Sequence, residues 1–209
     1  VHTLAKKANA ALPDKILALL SERGRAAYFP SAGILGQSAQ AKTASINATI
    51  GIALADDGSP MYLPGLGEQV DLNAKGMFPY APSYGKPELR DQWLVMTREK
   101  NPSLADSLIS RPVVTNALTH ALSVAGQLFI DPGQTIIMPD LFWGNYRLVF
   151  EQAMGARIST FPTFDAGGGF NVDGLRDALR RESDRKSVVL LNFPNNPCLL
   201  YTSDAADES

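Results

Sequence analysis

Apolar residues recur at helical spacing in one stretch of the chain: Leu118, Leu122, Ala125, Leu128 and Phe129 form a single stripe that stops at Asp131, Pro132 and Gly133. Just before it stand Val113 and Val114, a short β-branched run, then Thr115 and Asn116, two residues able to cap a helix start. Just after it come the apolar run 135–138 and the loop Asp140, Leu141, Phe142, Trp143, Gly144 and Asn145. Residues 112–145 therefore predict strand, helix, strand and loop. A strand running straight into a helix N-terminus aims backbone N–H groups and the positive end of the helix dipole at one point, which suits a phosphate dianion. Ala117, Leu118 and Thr119 supply those groups, with the Thr119 hydroxyl as a further donor. Such junctions occur in every doubly wound α/β protein and most bind nothing, so the pattern alone carries no assignment.

Upstream, residues 13–25 predict an amphipathic helix with Ile16, Leu17, Leu19 and Leu20 on its buried side, 28–47 an extended crossing segment, 46–54 a strand, and Asp56, Asp57 and Gly58 a turn. Residues 85–100 predict a second helix, because Pro87 suits a first turn, Glu88 suits the positive end, and Leu89, Trp93 and Met96 share a face. Trp93 is expected in the core. Downstream the pattern predicts a helix over 146–154, a strand over 157–161, a helix over 172–181, and a buried strand over 187–192 leading into Phe193, Pro194, Asn195, Asn196 and Pro197. The triplet Gly167, Gly168 and Gly169 precedes no Lys-Ser/Thr signature and reads as a turn, not a phosphate loop. The fold class expected is α/β, a mostly parallel sheet with helices on both faces. Three strand ends then carry candidate chemistry on the side where open α/β sheets bind ligands. Trp143 is placed either to stack on a flat heteroaromatic ring or to fill a gap under its loop. The Asn195 and Asn196 amides project beyond the last strand.

Five ordered strings bring a family into view: INATIG at 46–51, YAPSYGKPELR at 80–90, TNALTHAL at 115–122, PDLFWGN at 139–145 and NFPNNP at 192–197. They resemble the class I aminotransferases of the fold-type I pyridoxal-phosphate enzymes, especially aspartate-aminotransferase-like members, from about residue 46 to residue 197. The resemblance implies pyridoxal 5'-phosphate as cofactor, amino acid and 2-oxo acid substrates, and a homodimer. It further implies that Ala117, Leu118 and Thr119 form the phosphate cup, that Trp143 stacks on the cofactor ring, and that Asn196 hydrogen-bonds the ring oxygen. Tyr80 matches a tyrosine reaching the cofactor phosphate of the neighbouring subunit, and Gly51 a glycine beside the substrate carboxylate. A cis peptide between Asn196 and Pro197 is implied as well. The cup departs from the family in having Ala117 and Leu118 where Gly and Ser are common, and Leu141 stands where proline is often found. By the same likeness residues 1–60 belong to a small domain and 61–197 to part of the large cofactor-binding domain. No lysine of the chain matches the family's Schiff-base lysine, so no residue is expected to be catalytic. Alternatives on the same fold are a carbon–sulfur lyase and a non-catalytic ligand-sensing domain.

Composition narrows the picture. With 19 basic and 21 acidic residues and 45% hydrophobic content, the chain has no basic surplus for nucleic acid. No apolar run approaches the roughly 20 residues needed to span a bilayer, and no signal-peptide core is visible, so a cytoplasmic enzyme is expected. Cys198 is the single cysteine and cannot form an intrachain disulfide, and His2 and His120 form no metal pair. The start at Val1 is expected to reflect a processed or clipped N-terminus. Residues 198–209 match no element of the family and can be spelled by adapter-like codons, so they are expected to be a non-native tail on a truncated chain that aggregates or stays a partly ordered monomer, with at most weak cofactor binding and no turnover.

Overall fold

The computed structural model describes residues 2–28, 34–47, 49, 51–69, 78–183 and 186–197. In chain order its α-helices are α1 (Thr3–Ala10), α2 (Asp14–Leu19), α3 (Glu22–Ala26), α4 (Ile34–Gln40), α5 (Pro87–Lys100), α6 (Ala117–Phe129) and α7 (Val172–Arg181). A π-helical segment, Arg147–Ala153, lies between the strands β1 (Thr135–Pro139) and β2 (Arg157–Phe161), and β3 (Val188–Val189) follows α7. The three strands form one parallel sheet in the order β2-β1-β3.

β1 is the centre of the molecule because its β-branched run is buried on both faces, as a central parallel strand must be. Successive side chains point to opposite sides. Ile136 and Met138 pack with Tyr146, Val149, Phe150 and Ala156, while Ile137 packs with Phe161 and Ala178. Leu122 of α6 and the π-helical segment thus cover one face, and α7 covers the other. The sheet is parallel with helices on both faces, as the sequence pattern predicts. The α7 boundaries match the predicted helix: the Asn171 side chain accepts the Gly174 N–H at 2.8 Å, and Leu175 and Ala178 turn toward the sheet.

Several expectations are corrected. The predicted helix over 13–25 is two helices, because Leu20 is extended and the Ser21 hydroxyl caps a new start by accepting the Gly24 N–H at 3.1 Å. Arg25 then donates to the Leu17 and Ala18 carbonyls and closes the end of α2. No residue of α2 or α3 is buried, and Leu19 is 81% exposed. The segment 28–47, expected to be extended, contains α4, and residues 29–33 lie outside the described set. The described part of 46–54 forms no strand and contributes only an isolated antiparallel bridge between Leu54 and Pro60 around the predicted turn. Helix α1 has no counterpart in the expectations; His2 caps it and its Ala5 is buried.

Helix α5 forms as predicted, with Pro87 in its first turn, yet Trp93 is 55% exposed and not in the core. In α6 the apolar stripe is real but largely uncovered. Gly126 is buried and Leu122 packs on the core, whereas Leu118, Leu128 and Phe129 are exposed. Val113 and Val114 do not join the sheet. Their one ladder-like bond is from the Val114 N–H to the Tyr84 carbonyl at 3.1 Å. That approach needs Gly85, which has φ +93 and whose missing Cβ would stand 2.2 Å from Val114 Cγ2. The strand expected over 187–192 is reduced to Val188–Val189.

Candidate functional site

Helix α6 begins abruptly. Asn116, at φ −78 and ψ 79, makes an inverse γ-turn in which the Ala117 N–H donates to the Thr115 carbonyl at 3.0 Å. Ala117 itself sits at φ +62, the one non-glycine residue in the left-handed region among those described. The Asn116 side chain, an expected cap, makes no capping bond; instead the Asn116 N–H donates to His120 Nδ1 at 3.0 Å, so the histidine closes the turn from inside the helix. One expected phosphate donor, the Ala117 amide, is therefore engaged. The Leu118 and Thr119 amides lie in the first turn, where no intrahelical carbonyl can reach them, and that turn carries no acidic side chain. Both residues are solvent-exposed.

The loop after β1 carries Trp143. Its indole meets the buried Tyr146 ring edge-on, with centroids 5.7 Å apart, and packs against the same cluster as Leu122, one turn beyond Thr119 on α6. Burial raises the Tyr146 phenol pKa above its ordinary value. Arg147 lies over the Phe142 ring, with its guanidinium carbon 5.1 Å from the centroid. The α6 start and the Trp143 loop thus share one side of β1.

The third loop joins them through Asn195. Its Nδ2 donates to the Leu141 carbonyl at 2.8 Å, and the residue is 5% exposed, while Asn196 beside it is exposed. The Asn196–Pro197 peptide is cis, as the resemblance implies, and so is Phe193–Pro194. On the opposite flank Thr163, just past β2, holds Asp140. The Asp140 carboxylate accepts the Thr163 N–H at 2.9 Å and its hydroxyl at 2.7 Å. Partial desolvation raises the Asp140 pKa, but the Thr163 hydroxyl and amide, with the amides of Leu141 and Asp140, outweigh it and hold the carboxyl below its ordinary value. Thr163 and Asn195 shape this site, and no motif pointed to either role; Asn195 stood among the candidate amides, whereas Thr163 carried no signal at all.

The remaining candidates stand apart. Tyr80 is 96% exposed, on the segment that Tyr84 and Gly85 dock beside Val114. Gly51 is exposed, with no atom beyond its chain neighbours within 4 Å of where its Cβ would stand. Among the described residues no group of metal-ligating side chains occurs, and no helix is long and apolar enough to cross a membrane.

Known proteins resemble this chain in sequence and in fold. The chain is 29% identical over 143 residues to a probable N-succinyldiaminopimelate aminotransferase of Mycobacterium tuberculosis, covering 68% of this chain and 34% of that one. It is likewise 29% identical over 148 residues to the mitochondrial aspartate aminotransferase of Schizosaccharomyces pombe, covering 68% and 33%. It thus spans about a third of the length of the curated relatives it matches. Among solved structures, an aminotransferase from Anaerococcus prevotii superposes with a TM-score of 0.74 at 25% identity, over 89% of this chain and 47% of the other. An aromatic amino acid aminotransferase from Psychrobacter sp. B6 superposes with a TM-score of 0.66 at 25% identity, over 86% and 47%. The family model for aminotransferase class I and II matches residues 66–201, and with a parallel sheet whose strands β1 and β3 lead into the PDLFWGN and NFPNNP strings, this chain belongs to the class I and II aminotransferases.

Proposed function

We propose that the full-length protein is a transaminase that moves an amino group from an amino acid to a 2-oxo acid with pyridoxal phosphate. Members of its family depend on that cofactor. The observation that carries the reading for this chain is the α6 N-terminus: two first-turn amides without intrahelical acceptors, no acidic side chain beside them, and Trp143 packed on the core cluster that also takes Leu122. These residues fit a phosphate dianion attached to an aromatic ring.

In this reading Leu118 and Thr119 hold the phosphate with their amides, and the Thr119 hydroxyl adds a donor. Ala117 sets the turn, its own amide being taken by Thr115. Trp143 supports the ring from one face, and the Asn196 amide donates to the ring oxygen. Tyr80, exposed on this subunit, reaches the cofactor phosphate of a partner subunit in a homodimer, and Gly51 leaves room for the substrate carboxylate. When bound, the cofactor supplies the electron sink, while the protein supplies position and electrostatics. No lysine among the 209 residues matches the family's Schiff-base lysine, so proton transfer is assigned to no residue here. We further take residues 1–60 as small-domain and 61–197 as large-domain sequence, with 198–209 outside the described residues, and the protein as cytoplasmic.

The test is turnover by the full-length gene product. With pyridoxal phosphate, an amino donor and a 2-oxo acid acceptor, it should release the donor's 2-oxo acid, and the rate should depend on added cofactor. A folded full-length protein that binds no pyridoxal phosphate refutes the proposal.

A further inference from the structure

Two side-chain hydrogen bonds on the approach to Trp143 converge on one residue, Leu141. Its N–H donates to the Thr163 hydroxyl at 3.2 Å, and its carbonyl accepts from Asn195 Nδ2 at 2.8 Å. The two peptide planes flanking the Leu141 Cα are therefore gripped from opposite sides by side chains that follow β2 and β3. Both gripping residues are buried, Thr163 at 2% exposure and Asn195 at 5%. The Thr163 hydroxyl donates its own hydrogen bond to the Asp140 carboxylate at 2.7 Å, which leaves its lone pairs free to accept from Leu141. Asp140 in turn donates its N–H to the Phe161 carbonyl at 2.9 Å, so the relay is anchored in the backbone of β2.

We infer that Thr163 and Asn195 are positioning residues for Trp143, holding the Leu141 backbone so that the indole stands at a fixed height above the sheet end. The inference rests on the cofactor role proposed for Trp143 and extends it to two residues outside the matched strings' recognised functions. Leu141 is itself suited to such a grip. A proline there would have no N–H to give Thr163, so the hydroxyl relay and Leu141 belong together in this chain. Loss of either grip leaves a backbone polar group in a partly buried loop without its partner, and the loop relaxes toward water.

The experiment uses the full-length protein labelled with 5-fluorotryptophan, the Trp143 resonance being assigned by its disappearance in Trp143→Phe. Thr163→Val and Asn195→Ala are compared with wild type without cofactor, and then titrated with pyridoxal phosphate. Each variant is expected to shift or broaden the Trp143 resonance in the cofactor-free protein and to weaken cofactor binding by about tenfold, the loss of roughly one hydrogen bond. Thr163→Ser should restore both. If Thr163→Val does not fold, Asn195→Ala carries the same two readouts. Folded variants with an unchanged Trp143 resonance overturn the inference, as does Thr163→Ser behaving like Thr163→Val, since the methyl group would then be what matters. If wild type binds no pyridoxal phosphate, the cofactor reading fails by itself, and the Trp143 resonance alone decides whether the grip exists.

Discussion

Replacing Ala117 with glycine should stabilise the protein, because Ala117 holds φ +62 at the start of α6. An L-residue in the left-handed region sits roughly 1–2 kcal/mol above its right-handed alternative, and glycine has no such cost. Glycine also gains freedom in the unfolded chain, which offsets about 0.4–1 kcal/mol of the relief. Its poor helix propensity does not enter, since φ +62 is not helical. Nor is packing lost, because the Ala117 side chain is exposed. The balance is a gain of about 0.5–1 kcal/mol. The γ-turn that ties the Ala117 N–H to Thr115 involves only backbone atoms and survives the change. Urea unfolding of the full-length protein, with and without the substitution, measures this as a higher midpoint at unchanged slope. Pyridoxal-phosphate affinity should be retained or improved, since the Leu118 and Thr119 amides keep their direction. A midpoint equal to or below wild type refutes the reasoning, because a strained left-handed alanine cannot be indifferent to losing its Cβ.

Three other outcomes are expected. Phe161→Ala should cost about 3–5 kcal/mol, because Phe161 is 2% exposed, sits between Ile137 and Ala178, and meets Phe170 edge-on at 5.8 Å; thermal or urea melts measure it. Asp140, with its folded pKa below the ordinary carboxylate value, contributes stability that is fully present above that ordinary value and is lost as pH falls through the lowered one. Acid unfolding followed below about pH 4 should therefore be less steep in Asp140→Asn than in wild type, and identical acid limbs would contradict the Thr163–Asp140 assignment. The 209-residue chain alone, given pyridoxal phosphate, an amino donor and a 2-oxo acid, should form no product, because none of its lysines matches the one the reaction needs. Transamination by that chain would contradict this.

What was legible in the sequence was whatever the local pattern decides. β1, β2 and α7 form where the β-branched runs and the Asn171-capped amphipathic stretch place them. The turn at 56–58 and the glycine turn after Phe164 follow from side chains that bond their own backbone: the Asp57 carboxylate accepts the Ser59 N–H, and the Asp165 carboxylate accepts those of Gly167 and Gly169. What covers an apolar face was not legible. The stripe on α6 says which side of the helix is apolar, not that Leu122 packs on the core while Leu118, Leu128 and Phe129 stay exposed, and Trp93 is exposed for the same reason. The short valine run at 113–114 has strand propensity but no sheet neighbour, and the Val114 amide goes to the Tyr84 carbonyl instead. At the site, the strings pointed to the exposed Thr119 and Asn196 and to the half-buried Trp143. They gave no sign of the buried Thr163, because a hydrogen bond between Thr163 and Asp140 spans 23 positions and leaves no local pattern.

The central claim is that the α6 N-terminus and the Trp143 loop form one cofactor site. Its most direct test is the 5-fluorotryptophan resonance of Trp143 in the full-length protein during titration with pyridoxal phosphate. That resonance should shift saturably in step with binding measured independently by dialysis, with inorganic phosphate competing at the helix end. Cofactor binding that saturates by dialysis while the Trp143 resonance stays where it was would contradict it.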